Sequence, residues 1–349
     1  MEFKDYLAEQ IKKHPSVMPQ DIAKMCYQAA MGAEHLLSDT SAARRYFDAE
    51  FDATEPRSGE LFECLSDEIC RVDLGAWKAS GLPKEWLFNM FVGTATVKRG
   101  GRDALEEYLW EAEELIHSVS VGFTAKEWLI FIKNYRAAGL PAIHHSDSYR
   151  QGERPAYRIA HRAFLHCLPI LFAADKIKDI AGAKVIAIDG RAASGKTTVA
   201  NCLSVIFGAQ VVRMDDFFLP PCLRTPERLA EAGGNLHYER FCQEVLPALK
   251  KKEGFSYGIF DCGEMEIVGK REIAEGEWRI VEGSYSHHPK FGEYADLKVV
   301  CSVSSEEQMQ RILIRNGEKL AEMFEKMWIP MEEKYFANFE IYSSADILL

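Results

Sequence analysis

One short segment restricts the fold of this chain more than any other. Residues 190–197 read Gly-Arg-Ala-Ala-Ser-Gly-Lys-Thr, with glycine, lysine and threonine at the spacing of a Walker A loop. The preceding residues 184–189 are rich in β-branched side chains, as in a buried strand, and the apolar run after the loop is typical of a helix. A strand, a glycine loop and a helix in this order predict a phosphate-binding loop at the edge of a sheet.

Each fixed position of this loop has a physical role. Gly190 and Gly195 allow backbone N–H groups to turn toward phosphate oxygens. Lys196 can reach the β- and γ-phosphates of a nucleotide, and the hydroxyl of Thr197 can bind Mg²⁺. The other positions predicted to line or support the loop are Ala193, Ser194 and Thr198. The loop therefore predicts ATP and Mg²⁺ as cofactors.

The apolar pattern divides the 349 residues into two parts near residue 180. Before this point, apolar residues recur at helical spacing in the segments 22–37, 61–72, 105–119 and 128–138. After a polar linker at 175–183, helical stretches alternate with strand-like runs at 184–189, 210–214, 279–282, 297–303 and 345–349. We therefore predict an all-helical domain at residues 1–180, followed at 181–349 by an α/β domain with a central parallel sheet.

Charge and cysteine content limit the partners and the location of the chain. The net charge of -11 argues against a nucleic-acid partner, because a phosphate backbone selects basic surfaces. No apolar run reaches the ~18 residues of a membrane helix, and the first residues lack the apolar core of a signal peptide. The 9 cysteines include no Cys-x-x-Cys pair. These features predict a cytoplasmic protein with reduced thiols and no membrane contact, and they leave a homo-oligomer open.

Other motifs narrow the class of P-loop protein. The chain has no Asn-Lys-x-Asp motif for guanine and no apolar strand ending in Asp-Glu. Its last 166 or so residues instead resemble the uridine kinase and phosphoribulokinase group of P-loop kinases. The pieces that carry this resemblance over residues 184–349 are, in chain order, 189–198, Met214-Asp215-Asp216-Phe217-Phe218, Ile259-Phe260-Asp261, Val281-Glu282-Gly283, and Arg311 to Tyr335 followed by Ala345-Asp346-Ile347.

The resemblance implies a P-loop kinase domain that transfers the γ-phosphoryl group of ATP to a hydroxyl group of a small metabolite, most simply a nucleoside. Asp215 is expected to accept the proton of the attacking hydroxyl, with Asp216 as its rival for this role. Glu282 is expected to hold Mg²⁺ through water or to order the loop. Arg311 and Arg315 share one helix face and are expected to act as lid arginines on the transferring phosphate.

The acceptor site is where the resemblance to uridine kinases weakens. Those enzymes hold the ribose hydroxyls with an aspartate in the segment that here contains Asn235 and His237. Phe260 stands where they have tyrosine, and the histidine that helps them read the pyrimidine has no equivalent. Asn235, His237 and Phe260 remain the candidate acceptor residues. A nucleoside is therefore the first candidate acceptor, and another sugar or a pantothenate-like alcohol is the second.

The first half of the chain carries no motif that predicts a specific reaction. Glu34-His35 and His144-His145 could contribute to a divalent metal site, although core or helix-end histidines are the more common case. Arginines 150, 154, 158 and 162 recur every four residues and predict one basic stripe on a helix. A second hypothesis for the whole chain is a nucleotide-dependent switch or ATPase that controls a binding function of the helical half.

Overall fold

The computed structural model describes residues 2–33, 39–97 and 100–349. The chain forms two compact units, Met1–His166 and Cys167–Leu349. The helix Leu168–Ile177 packs against the strand Leu297–Cys301 of the second unit, with Ile170, Leu171 and Ala174 buried. The second unit therefore begins earlier than the polar segment 175–183, because an apolar helix that precedes this segment contributes to its core.

The first unit is mainly helical and also contains a small antiparallel sheet. Its helices are α1 (Phe3–Lys13), α2 (Pro19–Met31), α3 (Thr40–Ala53), α4 (Leu74–Ser80), α5 (Lys84–Ala95), α6 (Gly101–Ile116), α7 (Ala125–Ala137), α8 (Asp147–Glu153) and α9 (Arg162–His166). Its strands are β1 (Phe62–Cys64), β2 (Ile69–Asp73) and β3 (Tyr157–His161), in the order β1-β2-β3. The helices predicted at 105–119 and 128–138 correspond to α6 and α7, and the one predicted at 22–37 overlaps α2.

Two predictions for the first unit are wrong. Residues 61–72 form the hairpin of β1 and β2 rather than a helix, since β2 completes its hydrogen bonds with β3 from far along the chain. The four arginines do not form a helical stripe, because Arg150 lies in α8, Arg154 has a left-handed backbone, Arg158 lies in β3 and Arg162 begins α9. Arg158 is buried and pairs with Glu50 of α3.

A buried polar network joins the helices of this unit. The carboxylate of Asp21 contacts His145 Nδ1 at 2.8 Å and accepts hydrogen bonds from the backbone N–H and hydroxyl of Ser146. The other ring nitrogen of His145 lies 2.6 Å from the hydroxyl of Tyr157. Burial lowers the pKa of His145 to about 4, although Asp21 opposes this shift. His145 is therefore neutral at pH 7 and serves as a structural link between α2 and β3.

This network predicts acid sensitivity of the first unit. The pKa of His145 is about 4 in the folded chain and 6.5 ordinarily, so the unfolded chain binds the additional proton between these values. The stabilising contribution of neutral His145 is present above pH 6.5 and is lost as the pH falls toward 4. It amounts to about 3 kcal/mol of unfolding free energy.

Urea unfolding of the full chain at several pH values, followed by tryptophan fluorescence, measures this loss. The variant His145→Gln removes the titrating group, so its unfolding free energy should vary less between pH 6.5 and 4. The control His14→Gln should keep the dependence in that window, because Glu63 and Glu153 raise the pKa of His14 and move its titration above 6.5. An unchanged slope in His145→Gln would contradict this assignment.

The second unit is an α/β domain built on a five-stranded parallel sheet. The strands of the whole unit, in chain order, are β4 (Lys184–Gly190), β5 (Gln210–Arg213), β6 (Phe255–Asp261), β7 (Glu266–Ile273), β8 (Trp278–Glu282), β9 (Leu297–Cys301) and β10 (Ile347–Leu348). Its helices are α10 (Leu168–Ile177), α11 (Lys196–Phe207), α12 (Pro226–Ala230), α13 (Tyr238–Glu244), α14 (Leu246–Leu249), α15 (Ser305–Asn316), α16 (Glu318–Met323) and α17 (Ile329–Asn338). A π-helical turn, Phe324–Trp328, joins α16 to α17.

The order of the sheet brings distant segments together at one edge. The strands lie in the order β10-β9-β4-β8-β5, while β6 and β7 form a separate antiparallel hairpin. In the parallel register, Ile188 of β4 and Arg213 of β5 both align with Glu282 of β8. The carboxyl ends of β4, β5 and β8 therefore meet, at the edge where open α/β sheets bind ligands. The predicted parallel sheet is confirmed, and β8, which ends in Glu282, lies beside β4.

The core explains why β4 can hold this central position. Every residue of β4 is buried, and its Val185 and Ala187 join a cluster with Val212, Val281 and Val300 from other strands. Short β-branched side chains pack well between two layers of helices, which is the arrangement of a parallel sheet.

Among the described residues, no helix has both the length and the apolar character to cross a membrane.

Candidate functional site

The loop at residues 190–197 connects β4 to α11 and depends on both of its glycines. Gly190 has φ 143°, and a Cβ atom placed on it would lie 2.3 Å from the carbonyl oxygen of Cys301. Gly195 has φ 97° and is the residue before the first turn of α11. Side chains other than glycine rarely adopt such angles. The loop therefore holds the positive end of α11 open toward the sheet edge, where an anion can bind.

Lys196 is held across this loop rather than extended into solvent. Its side chain is 8% exposed, and its ammonium donates to the carbonyl oxygens of Gly190 at 2.8 Å and Arg191 at 2.7 Å. It also lies 3.3 Å from the hydroxyl of Ser284, which follows β8. These contacts fix one positive charge beside the N-terminus of α11, which is the position that a bound polyphosphate requires.

Thr197, directly after this lysine, is paired with Glu282. The hydroxyl of Thr197 lies 3.4 Å from Glu282 Oε2, and Glu282 is buried at the end of β8. Burial raises the pKa of Glu282, and the nearby carboxylate of Asp215 raises it further, while Lys196 and Arg213 lower it. A hydroxyl and carboxylates are the oxygen ligands that Mg²⁺ prefers, so these residues fit a magnesium ion.

Asp215 and Asp216 lie on the turn after β5 and have different surroundings. Asp215 keeps an exposed side chain. The protein packed around its carboxyl raises the pKa of Asp215, and the adjacent Asp216 acts in the same direction, while the positive charges of Lys196, Arg213 and Arg315 oppose the shift. Asp215 therefore belongs electrostatically to the corner that contains the loop lysine and Glu282.

Asp216 is instead committed to the fold. It is 6% exposed, and its Oδ2 accepts hydrogen bonds from the Tyr257 hydroxyl at 3.0 Å and from Arg271 Nε at 2.8 Å. Both partners lie on the β6–β7 hairpin, and Arg240 of α13 donates to the backbone carbonyl of Asp216. A carboxylate with these partners anchors the hairpin beneath the turn and is not available to a ligand.

Sequence reasoning missed one further carboxylate at the loop, in addition to Glu282 and Asp215. Glu332 of α17 is 6% exposed and accepts a hydrogen bond of 2.9 Å from the backbone N–H of Ala192. It also accepts one of 2.8 Å from the hydroxyl of Ser284. Burial raises the pKa of Glu332, while Lys196 lowers it. Ser284 directly follows Val281-Glu282-Gly283, and this position could have drawn attention to Ser284. No local pattern marks Glu332.

Asp189 fixes the segment that supplies Ser284. This fully buried carboxylate at the end of β4 accepts hydrogen bonds from the backbone N–H groups of Tyr285 and His287. The hydroxyl of Tyr335 on α17 donates to the same carboxylate at 2.8 Å. One residue of β4 therefore orients both the segment after β8 and the helix that carries Glu332.

The two predicted lid arginines lie on α15 and reach the loop differently. Arg311 Nη1 donates to the carbonyl oxygen of Ala193 at 3.0 Å, and its other nitrogen pairs with Glu307 at 2.6 Å. Arg315 is exposed and donates to Asn316 at 2.9 Å. The positive charge of Arg315 favours the ionised form of Asp215 and so opposes the rise in the pKa of that carboxyl. Arg315 is thus the solvent-exposed cation of the pair, while Arg311 contacts the loop.

The predicted acceptor residues lie next to the segment that follows Asp215. The backbone N–H of Leu219 donates to the carbonyl of Asn235 at 2.9 Å, and that of His237 donates to the carbonyl of Phe217 at 2.7 Å. The side-chain oxygen of Asn235 is buried and has no hydrogen-bond partner within the described part of the chain. The His237 ring contacts Glu239 at 3.2 Å. Phe260 on β6 is buried, so its ring serves first to pack the hairpin.

The described histidines of the first unit do not gather into a metal site. His145 is occupied by Asp21 and Tyr157, as described above. Over residues 2–33, 39–97 and 100–349, no group of three or more histidine, cysteine, aspartate or glutamate side chains is arranged to hold a metal ion. Glu34 and His35 lie outside the described residues, so the prediction for them stays a prediction.

Comparison with known proteins finds matches among solved structures. No protein-family model and no curated protein matches the chain. Among solved structures, a possible uridine kinase from Bacillus stearothermophilus is 22% identical, with a TM-score of 0.40 over 54% of this chain and 97% of that one. A candidate fructose transport system kinase from Silicibacter sp. TM1040 is 23% identical, with a TM-score of 0.44 over 54% and 98%. At these identities the function has to be argued from the site itself.

Proposed function

We propose that this protein is an ATP- and Mg²⁺-dependent phosphotransferase that moves the γ-phosphoryl group to a hydroxyl of a small metabolite. The observation that carries the proposal is the convergence, at one sheet edge, of the Lys196 loop with the corner formed by Thr197, Glu282 and Asp215. A phosphate-binding loop alone would serve any nucleotide-binding protein. An exposed carboxylate that lies in the field of the loop lysine adds what a transfer to a hydroxyl needs.

Each residue has a separate task in this reaction. The loop amides and Lys196 hold the phosphates of ATP and position the γ-phosphoryl group. Thr197 and Glu282 would hold Mg²⁺, which supplies charge that stabilises the phosphates when bound. Asp215 orients the acceptor hydroxyl and takes its proton as the new P–O bond forms and the bond to the ADP leaving group breaks. Arg315 offsets the negative charge on the transferring group.

The acceptor is proposed to be a nucleoside, with another sugar or alcohol as the second choice. Support comes from Asn235 and His237, whose segment pairs through its backbone with Phe217 and Leu219, directly after Asp215. The side-chain oxygen of Asn235, which has no hydrogen-bond partner among the described residues, would accept a hydrogen bond from a ribose hydroxyl. A hydroxyl-bearing ligand held there would lie beside the proposed base.

A direct screen tests the proposal. The full chain is incubated with ATP and Mg²⁺ and, in parallel, with nucleosides, free sugars and small alcohols, and the products are analysed by mass. One acceptor is expected to gain a phosphoryl group in a one-to-one ratio with ADP. ADP production that is slow and unaffected by every compound would contradict a kinase and would favour the nucleotide-dependent switch.

Arg315→Ala is expected to lower kcat by about 10- to 100-fold while changing ATP affinity by less than about threefold. The reason is that Arg315 is exposed and acts on the charge that develops in the transition state rather than on the bound loop. Steady-state kinetics with a confirmed acceptor, together with ATP titration, separates the two effects.

Lys252→Ala is the matched control for Arg315→Ala, because it also removes one exposed positive charge from the second unit. Lys252 pairs with Glu277, which precedes β8 and lies at the opposite edge of the sheet. The control is expected to leave kcat unchanged. A rise in the Michaelis constant for ATP alone, with kcat preserved, would make Arg315 a ground-state contact and would remove it from the proposed mechanism.

A further inference from the structure

The first unit contains two cysteines that face each other across the hairpin of β1 and β2. Cys64 and Cys70 are paired in the antiparallel register. The neighbouring pair, Leu65 and Ile69, is joined by a hydrogen bond of 2.7 Å from the Leu65 N–H to the Ile69 carbonyl. A pair further along the hairpin, Leu61 and Asp73, is joined by one of 3.0 Å from the Asp73 N–H to the Leu61 carbonyl. By alternation, the two cysteines occupy a non-hydrogen-bonded pair, where Cα atoms lie only about 4.5 Å apart.

The two sulfur atoms are already in contact. Cys64 Sγ lies 2.9 Å from Cys70 Sγ, and both residues carry free thiols. Paired positions of this type place the Cα atoms at the short end of the separation that a disulfide tolerates. Bond formation therefore needs only a small approach of the two sulfur atoms and no movement of one strand along the other.

The two thiols have different surroundings. Cys64 is partly exposed, whereas Cys70 is fully buried. The hydrogen bond from Cys70 lowers the pKa of the Cys64 thiol, and the positive charges of Arg162 and Lys13 lower it further, against the effects of burial and of Glu9. The charge that then lies on Cys64 and the burial of Cys70 raise the pKa of the Cys70 thiol. Cys64 is the one that solvent-borne reagents can reach as a thiolate.

We propose that Cys64 and Cys70 form a reactive dithiol, a site of reversible oxidative modification by low-molecular-weight disulfides. The Cys64 thiolate attacks one sulfur of the reagent, such as glutathione disulfide, forming a mixed disulfide and releasing one glutathione thiolate. Cys70 then loses its proton to solvent and attacks Cys64 Sγ. The Cys64–Cys70 bond forms and the second glutathione thiolate leaves, so two protein thiols are oxidised and one disulfide is reduced.

The sequence around the pair makes the product easy to identify. Trypsin cleaves after Arg57 and Arg71, and no lysine or arginine lies between them, so both cysteines fall in the peptide 58–71. The folded full chain is exposed briefly to glutathione disulfide at pH 7, the remaining thiols are blocked in acid, and the digest is analysed by mass. The peptide is expected to lose two hydrogens, about 2 Da, and to recover them after treatment with dithiothreitol.

Two variants separate the roles of the thiols, and one controls for exposure. Cys70→Ser should stop at glutathione on Cys64, and Cys64→Ser should leave Cys70 unmodified because it is buried. The control Cys222→Ser removes an exposed cysteine of the second unit and should not change the behaviour of peptide 58–71. Cys64 should react at least about tenfold faster than Cys222 in the unaltered chain.

Three outcomes would overturn the proposal. The first is that peptide 58–71 keeps both thiols while Cys222 is modified. The second is that glutathione stays on Cys64 although Cys70 is present. The third is that Cys64 reacts only after urea has unfolded the chain, which would show that the native hairpin does not activate it. Retained native fluorescence of each variant shows that the folded protein is being measured.

Discussion

Lys196→Ala is expected to reduce phosphoryl transfer at least about 10³-fold and to leave both units folded. The loss is large because the ammonium is the one side-chain charge that the loop itself directs toward the phosphates, and the surrounding protein screens it little. Its contacts with Gly190, Arg191 and Ser284 hold it in place before any ligand binds. The measurements are the rate of phosphorylated product and the affinity for ATP, with circular dichroism as the test of folding.

Lys252→Ala serves again as the matched control, since it removes the same charge at the opposite edge of the sheet and should keep full activity. The two variants together distinguish a local effect at the loop from a change in net charge. Full activity in a folded Lys196→Ala protein would remove the basis for a P-loop kinase.

Asp215→Asn is expected to lower kcat by about 10²- to 10⁴-fold, the range typical of losing a general base. The change keeps the size of the side chain and removes its ability to accept the hydroxyl proton, so ATP affinity should change little. Folding stability should not fall, because the protein packed around the carboxyl and the repulsion from Asp216 already disfavour a charge at position 215. Single-turnover kinetics with a confirmed acceptor, and thermal unfolding of the same samples, measure both effects.

Asp216→Asn is the neighbouring control and is expected to show the reverse. It weakens the hydrogen bonds from Tyr257 and Arg271 and should lower the unfolding free energy by about 1–3 kcal/mol. Its kcat should change much less than that of Asp215→Asn at a temperature where it is folded. If Asp216→Asn were the crippling change and Asp215→Asn benign, the base would be the other aspartate. If neither mattered, positioning by the loop and the lid would have to carry the reaction.

The raised pKa values of Asp215 and Glu282 predict that kcat/KM of the proposed reaction depends on pH. Because the protein packed around its carboxyl raises the pKa of Asp215 above 3.8, the acid limb of the kcat/KM profile should lie above that value. Glu282 shares the direction, since its pKa is raised above 4.5. In Asp215→Asn the residual activity should lose the part of the acid limb that belongs to position 215.

Local patterns were sufficient for much of the second unit. The Walker A spacing and the β-branched run before it predicted β4, the loop and α11, and β5, β8 and β9 were predicted within one or two residues of their ends. These elements are predictable because strand periodicity, glycine conformations and the strand–loop–helix order act over short stretches of chain. In the first unit the same reasoning predicted α6 and α7 and failed at 61–72, where apolar residues at helical spacing belong to two strands.

The division between Asp215 and Asp216 shows where local reasoning ended. Adjacent residues point in different directions, and the sequence left both as candidate bases. The structure separates them because Arg271 and Tyr257, on a hairpin more than 40 residues later in the chain, bond to Asp216 alone. Glu332 is a similar case, because it reaches the loop from α17 through the fold of the whole domain.

The sequence by itself determined that a phosphate-binding loop begins an α/β domain, because the requirements of that loop lie within eight consecutive residues. Only the tertiary structure decided which carboxylates meet at the loop and which thiols meet in the hairpin. Those meetings depend on strand order, register and burial, which bring together groups far apart in the chain, as in the hydrogen bond from the backbone N–H of Ala192 to Glu332, 140 residues later. No short-range pattern records such a contact, since its free energy comes from the packing of the complete domain.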